Sequence, residues 1–354
     1  MGVWYATREQ VKESLETMET AHAGRLIDQK LDAASRSVEG QLRRRFYPEQ
    51  RVVKMDWPNY QYAPAWRLWL GINELIALTT VVSGGTDITT SAVPRRTDDI
   101  AEPPYNLLEI SLAGAGSFSS GVTFQQSVVM TGLFGYSDTA TVNAAGALPS
   151  TMLIGATTAV INPVNGNFPL GIGSLLKIES ERLIVTNRRM IDTTINTTVA
   201  LAASQNVQTV GVGDATGFAI GEIIMVDAER MRVEDIAGNN LMVTRAFDGS
   251  TLAAHLTAAD VFALRNFTLT RGVLGSVAAQ HLNTAPVYAH EWPGILNELT
   301  IAETVVLLEQ NASAYARTIG SGNSLRQSGT GQGLEDLREQ AQRQIGRPSR
   351  MAAI

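Results

Sequence analysis

The chain has 354 residues, of which 44% are hydrophobic and 18% are charged, which is typical of a folded protein of two or three domains at ~150 residues each. The absence of cysteine excludes disulfides, thiolate metal sites and a cysteine nucleophile, and only four histidines are available as metal ligands. The net charge of −6 argues against a dedicated nucleic-acid-binding protein, and the absence of an uninterrupted run of about 18 apolar residues predicts that no segment spans a membrane. No membrane is expected among the partners.

Helices are predicted near both ends of the chain, within residues 1–51 and 291–319. Thr7 and Gln10 have the spacing of a capping box, so a first helix is expected directly after Thr7. A second helix carries an apolar stripe of 3.6-residue period that Pro48 ends. The terminal helices are predicted to pack together in one helical connector domain. The facing stripes would be Leu26, Leu31, Val38 and Leu42 on one side and Leu296, Leu299 and Val306 on the other.

Between these helices the apolar period changes from 3.6 to two, which predicts an all-β insert over residues 52–136. Small and polar residues over 137–156 predict a linker. The expected fold class is therefore α+β, with an antiparallel helical bundle built from both chain ends and all-β insertions. Residues 320–354 are predicted to form a flexible Ser/Gly linker followed by a C-terminal arm.

A repeat lies within the second β region. Ile172–Val185 aligns with Ile220–Val233 at an offset of 48, and Val243–Ala263 aligns with Leu269–Ala289 at an offset of 26, with ten of 21 positions identical in the second pair. A simple tandem duplication would give one offset for both halves. The unequal offsets predict one β-module nested inside another, the outer formed by 157–206 plus 265–290 and the inner by 207–264. The strands of 172–185 should then pair or pack with those of 267–289, while 220–263 forms a separate lobe of similar shape.

The repeat places His255 and His281 at equivalent positions, which raises the question of a metal site. A histidine without a second ligand at metal-site spacing is more often structural, because its imidazole can hydrogen-bond the backbone of a loop. Arg245 and Arg271 recur in the same way and are interpreted as structural too. No metal ligand is predicted.

Other charged groups are interpreted as ordinary surface charges. Asp98–Asp99 and Glu179 with Glu181 have no spacing that makes a general acid and base, and Arg43–Arg45 suits a solvated helix C-terminus. Phosphate-binding, zinc-protease and serine-hydrolase motifs are absent. We therefore predict no catalytic residue, no cofactor-binding residue and no cofactor, and the chain is not expected to be an enzyme.

An ordered set of segments resembles a known family. A helix that ends in LRRRFYP is followed by NELIALTTVV-SGGTDIT, PPYNLLEI and VVMTGLFGY, and then by a closing helix rich in alanine. This layout resembles the head-to-tail connector, or adaptor, proteins of long-tailed bacteriophages, over about 1–136 and 291–354. The modules of 157–290 resemble β-modules that recur in phage virion proteins, and simpler adaptors lack them.

The resemblance implies a structural virion protein without enzymatic activity. Such a protein forms a homo-oligomeric ring, commonly a dodecamer, in the neck between the capsid portal and the stopper or tail-completion protein. Double-stranded DNA would pass through the ring during genome ejection without sequence-specific binding. The expected location is the virion neck, and the host cytoplasm during assembly.

The resemblance also assigns a portal-binding role to the C-terminal arm. A tethered amphipathic helix with a basic, apolar tip is expected to bury its apolar side in a partner. The residues expected to bind the portal are Leu334, Leu337, Arg338, Ala341, Ile345, Arg347, Arg350, Met351 and Ile354.

An alternative from another class is a cell-surface or carbohydrate-binding protein of the phage tail. Repeated β-modules are compatible with that function. Clusters of exposed aromatic residues, which sugar binding usually needs, are not expected, since none of the five tryptophans lies within the nested repeats.

Overall fold

A computed structural model gives the fold of the chain. It describes residues 2–15, 24–57, 65–98, 100–138, 144–164, 168, 170–312, 318–319, 326–327 and 332–347. The described residues form two compact units. The first comprises Met1–Val38, Ala140–Val273 and Val277–Ala341, and the second comprises Glu39–Thr139, Leu274–Ser276 and Gln342–Ile354.

The predicted fold class is wrong. The described residues are mostly β-sheet, with a 10-stranded antiparallel sheet, smaller sheets and four short helices, and 21% of them are helical, so the protein is not a helical bundle. The helices are α1 (Arg8–Ser14), α2 (Gly24–Leu42), α3 (Gly294–Ala312) and α4 (Gln332–Gln344).

The apolar stripe of α2 is buried, but it covers the sheet. Ile27 and Leu31 share a hydrophobic cluster with Leu176 and Phe267 of the large sheet, and α3 adds Leu308 to the same cluster. Val38, in the middle of the stripe, is also fully buried. An amphipathic stripe shows that a helix face is covered without showing by what, and here strands of the large sheet supply part of the cover.

The second unit contains two antiparallel sheets, in the orders β1-β7-β3-β4 and β2-β6-β5. Alternating side chains of β7 are buried, as expected for strands with one face on a core. The strands are β1 (Glu49–Met55), β2 (Arg67–Trp69), β3 (Leu75–Ser83), β4 (Thr86–Asp87), β5 (Ala92–Arg95), β6 (Leu107–Ile110) and β7 (Val128–Phe134).

The first unit holds the 10-stranded sheet, in the order β12-β15-β14-β13-β16-β11-β10-β17-β8, with β9 paired to β16. A short ribbon of two paired strands, β18 and β19, with two residues in each strand, also lies in this part of the chain. The strands are β8 (Gly146–Ala147), β9 (Thr158–Val160), β10 (Leu175–Ile178), β11 (Glu181–Asn196), β12 (Thr209–Gly211), β13 (Ile223–Val226), β14 (Glu229–Ala237), β15 (Asn240–Thr244), β16 (Asp260–Thr270), β17 (Pro286–Ala289), β18 (Thr318–Ile319) and β19 (Arg326–Gln327).

Strand pairing within this sheet follows the two sequence alignments. In the outer repeat β10 pairs with β11 and β17, and in the inner repeat β13 pairs with β14 and β16. Likewise β9 pairs with β16 as β12 pairs with β15. Each repeat has its own hydrophobic cluster. The two are nevertheless joined in one sheet, because β16 lies between β13 and β11 and serves both repeats. The division of the chain into six sequence-based segments stays a prediction.

Candidate functional site: a duplicated Glu–Arg–His cluster

The first cluster is centred on Glu181, a fully buried residue at the start of β11. Arg271 binds its carboxylate through two nitrogens, with Nε 2.8 Å from Oε1 and Nη2 2.5 Å from Oε2. His281 Nε2 lies 2.8 Å from Oε2, and the backbone N–H groups of Gly272 and Ala279 donate at 3.1 and 3.0 Å. One buried carboxylate thus accepts five hydrogen bonds.

The second cluster repeats this arrangement around Glu229, at the start of β14. Arg245 donates from Nε at 2.7 Å and from Nη2 at 2.8 Å, and His255 Nε2 lies 2.9 Å from Oε2. The N–H groups of Ala246 and Ala253 complete the set at 2.9 and 3.0 Å. All four partner residues occupy positions equivalent to those of the first cluster.

A hairpin turn supplies a further carboxylate to each histidine. Glu179 and Asp227 adopt positive φ angles of 53° and 52° between the paired strands, a conformation that acidic residues tolerate in tight turns. His281 Nδ1 lies 3.1 Å from Glu179 Oε2, and His255 Nδ1 lies 2.6 Å from Asp227 Oδ2. Each imidazole therefore has a carboxylate oxygen within hydrogen-bond distance of both of its ring nitrogens.

The hydrogen-bond partners of the central carboxylate keep it ionised in each cluster. Burial by itself raises the pKa of Glu181, but Arg271, the Ala279 and Gly272 amides and His281 outweigh it and lower the pKa to about 2. The pKa of Glu229 is likewise raised by burial and lowered to about 2 by its own arginine, amides and histidine. In each cluster the guanidinium of the arginine faces the buried carboxylate, so the buried negative charge is compensated.

The arginines extend each cluster into the neighbouring loops. Arg271 Nη1 donates to the Leu153 and Ile154 carbonyl oxygens at 2.7 and 3.2 Å, and Nη2 donates to the Ala279 carbonyl oxygen. Arg245 donates in the same way to the carbonyl oxygens of Ala202, Val207 and Ala253. The clusters therefore fasten three chain segments to one hairpin in each repeat.

A third buried ion pair has no counterpart in the outer repeat. Arg265 of β16 binds Glu222 through two nitrogens, at 2.6 and 2.8 Å, and donates to the Gly217 carbonyl oxygen at 2.6 Å. The position equivalent to Glu222 is Ser174, whose hydroxyl accepts from the Gly171 N–H at 3.0 Å. Arg265 thus fixes the turn before β13 onto the strand that both repeats share.

The hydrogen bonds of the clusters are structural and hold neighbouring segments together. Glu181 and Glu229 accept five hydrogen bonds each, so neither is left to act as a base or a nucleophile. Among the residues that the structure describes, no group of three or more histidines or acidic residues is arranged to hold a metal ion.

The sequence singled out the histidines and arginines of the clusters but not the glutamates at their centres, Glu181 and Glu229. His255 and His281 bond carboxylates rather than a loop backbone, and Glu181, taken as a surface charge, is the centre of a cluster. The missed signal was the Glu-Arg dipeptide at 181–182, which recurs at 229–230 with the repeat offset of 48. Glu222 and Arg265 carry no such signal, since only the inner repeat has this pair.

Apolar side chains of the C-terminal arm are buried within the chain itself. Leu334, Ala341 and Ile345 are buried, and Arg338 of α4 forms an ion pair with Glu303 of α3 at 2.7 Å. The expectation that a partner must supply the apolar cover for this helix therefore does not hold for these side chains. Leu337 and Arg347 are half-buried, and Arg350, Met351 and Ile354 lie outside the described residues.

The arginine run at the end of α2 is used within the second unit. The helix ends at Leu42, and Arg43 takes the left-handed conformation. Arg44 pairs with Glu74 at 2.8 Å, and Arg45 pairs with Glu49 at 3.1 Å. These arginines thus connect the helix end to the β-sheets of the unit.

Comparison with protein-family models, with curated proteins and with solved structures finds no match for this chain. Within the described part of the chain, no helix has the length and apolar character needed to cross a membrane.

Proposed function

We propose that this chain is a structural subunit of a bacteriophage virion, the head-to-tail connector that forms a ring in the neck between the portal and the stopper or tail. The observation that carries the proposal is the position, in the fold, of the sequence segments on which the resemblance is based. The segment LRRRFYP begins at the last residue of α2. The other three segments, NELIALTTVV-SGGTDIT, PPYNLLEI and VVMTGLFGY, fall on the β3–β4 hairpin, β6 and β7.

These segments belong to one compact unit. β7 pairs with β3, and Leu75, Leu108, Met130 and Phe134 share a hydrophobic cluster. Segments that are separate in the sequence thus form one folded body, which supports reading them as parts of one family rather than as chance matches. The error in the predicted helical bundle leaves this unit unaffected.

The duplicated clusters support a structural role as well. Their charged groups bind one another and the loop backbone, so they stabilise the repeats instead of presenting a reactive group. By the resemblance, the ring is a dodecamer, its channel carries double-stranded DNA, and α4 with the residues after it contacts the portal. The protein would be found in the virion neck and, during assembly, in the host cytoplasm.

Mass photometry and negative-stain microscopy of the purified protein test the proposal, followed by addition of capsids that carry a portal. A ring-shaped particle that attaches to those capsids is the expected result. A monomer that does not attach to the capsids and instead binds host cell wall would refute the connector function and favour the tail-protein alternative.

A further inference from the structure

The C-terminal helix α4 is docked on its own chain through side chains that the resemblance assigns to portal binding. Leu334, Ala341 and Ile345 are 8%, 0% and 7% exposed. They are seven and four residues apart, so they lie along one face of the helix and its end. A side chain that its own chain covers is not available to a partner at the same time. This face of α4 therefore reaches the portal only after the helix has left its docked position.

An ion pair connects the middle of α4 to α3. Arg338 donates from Nε to Glu303 Oε1 at 2.7 Å, and its Nη2 lies 2.7 Å from the same oxygen. The Glu303 side chain is 6% exposed, whereas the Arg338 side chain is 31% exposed and reaches water. Since Glu303 belongs to α3, a change at this position alters the docking of α4 and leaves every residue of the C-terminal arm as it is.

The ends of α2 and α4 cap each other. Arg44 Nη1 donates to the Ile345 carbonyl oxygen at 2.7 Å, and the Arg347 N–H donates to the Leu42 carbonyl oxygen at 3.0 Å. The last carbonyl groups of a helix have no partner within the helix, and water satisfies them where no protein donor is near. Undocking of α4 therefore exchanges these two hydrogen bonds for hydrogen bonds to water, and the net change in free energy is modest.

The connection between α3 and α4 is long enough to let the helix leave. It runs over residues 313–331, which at ~3.3 Å per residue can span about 60 Å. Seven of the 12 residues over 320–331 are glycine or serine, a composition that predicts a flexible tether. The described part of this connection is the ribbon of β18 and β19, and a pair of strands with two residues each is marginally stable by itself.

We propose that the docked position of α4 is autoinhibitory: the free protein holds the helix on its own chain, and the helix undocks to bind the portal. The inference rests on the proposed connector function and adds the regulation of its portal-binding arm. Only copies with an undocked helix can bind, so docking reduces the apparent affinity for the portal by the fraction of copies that is undocked. Weaker docking should therefore strengthen attachment, and a helix that cannot undock should prevent it.

Thiol labelling measures undocking without any capsid, because the natural chain has no cysteine. Ala341→Cys places a thiol in the covered face of α4, and Gln340→Cys places a control thiol at the exposed position beside it. A maleimide should modify the Ala341 variant about tenfold more slowly or less, at a rate that undocking limits. Adding Glu303→Gln, which removes the charge facing Arg338, should raise that rate about two- to fivefold and leave the control unchanged. Equal rates at the two positions, or no effect of Glu303→Gln, would overturn the proposal.

Attachment to capsids that carry a portal tests the consequence of undocking. Glu303→Cys with Arg338→Cys, joined by a bismaleimide whose spacer contains a disulfide, keeps α4 docked until a reductant cuts the spacer. We expect this cross-linked variant to attach about tenfold more weakly than the same variant after reduction, and Glu303→Gln to attach about two- to fivefold more tightly than the wild type.

The outcomes separate this inference from the proposed function. A cross-linked variant that attaches as well as the reduced one would overturn autoinhibition alone. Should the loss of Arg338 itself prevent attachment, Glu303→Gln still decides, because attachment equal to that of the wild type would overturn the proposal. A wild type that attaches to no portal, although labelling shows that α4 undocks, would overturn the proposed function and this inference with it.

Discussion

Replacing Glu229 by glutamine should strongly destabilise the protein at neutral pH. The substitution keeps the shape of the side chain and removes the charge that faces Arg245 and His255. Its amide nitrogen would also face groups that are themselves donors. Arg245 then stays buried without a counterion, and breaking a buried pair in this way typically costs about 3–5 kcal/mol.

The lowered pKa of Glu229 gives a second estimate of how much its ionised carboxylate stabilises the folded protein. Lowering the pKa of Glu229 from 4.5 to about 2 corresponds to about 3 kcal/mol at about 1.4 kcal/mol per unit. Because the pKa is lower in the folded state, this stabilisation is fully present above about pH 4.5. It is lost as the pH falls from there towards about 2.

Urea unfolding of the wild type and of Glu229→Gln at about pH 7 and about pH 3 is the assay. The free-energy difference between them should be about 3 kcal/mol or more at neutral pH and should shrink by about 2 kcal/mol at the lower pH. Glu234→Gln, on the same strand, is the control. Its pair with Arg232 is partly exposed and should contribute less than about 1 kcal/mol. A difference below about 1 kcal/mol for Glu229→Gln, or one that does not shrink with acid, would refute the argument.

Three further predictions concern the folded core. Arg265→Ala should cost about 3–5 kcal/mol in unfolding free energy, and adding Glu222→Ser should recover part of that loss; an additive double variant would count against the pairing. Gly135→Ala should lower the thermal midpoint far more than Gly85→Ala, because its Cβ would lie 2.2 Å from a carbonyl oxygen whereas the Cβ at Gly85 meets open space; equal shifts would contradict this. Phe267→Ala, in the shared strand, should cost about 3–5 kcal/mol, and a loss under about 1 kcal/mol would argue against its full burial.

The sequence was informative where periodicity determines local structure. The stripe through Leu31 and Val38 identified a helix with one buried face, and the change of period identified the strands of the second unit. Periodicity did not identify what covers a helix, because a sheet and another helix bury the same stripe equally well. The fold class was therefore wrong although the helical segments were placed near their observed positions.

The repeat carried more information than composition or periodicity. Two unequal offsets implied which strands pair over long distances, and β10 with β17 is such a pair. The buried acids were harder to find, because a glutamate such as Glu181 at the start of a strand resembles a solvent-facing residue until its partners are known. Those partners lie about 90–100 residues further along the chain, beyond the reach of any local pattern.

The sharing of β16 has a consequence for the order in which the protein folds during synthesis. Every strand of the inner repeat has been translated once residue 263 has been made, whereas the outer repeat still lacks β17, which ends at Ala289. The inner repeat can therefore fold first as the chain leaves the ribosome, and its last strand then offers a preformed edge to β11. β10 and β11 are translated earlier but can pair with β16 only after the inner repeat has been made, so the outer repeat is completed after the inner repeat that interrupts it.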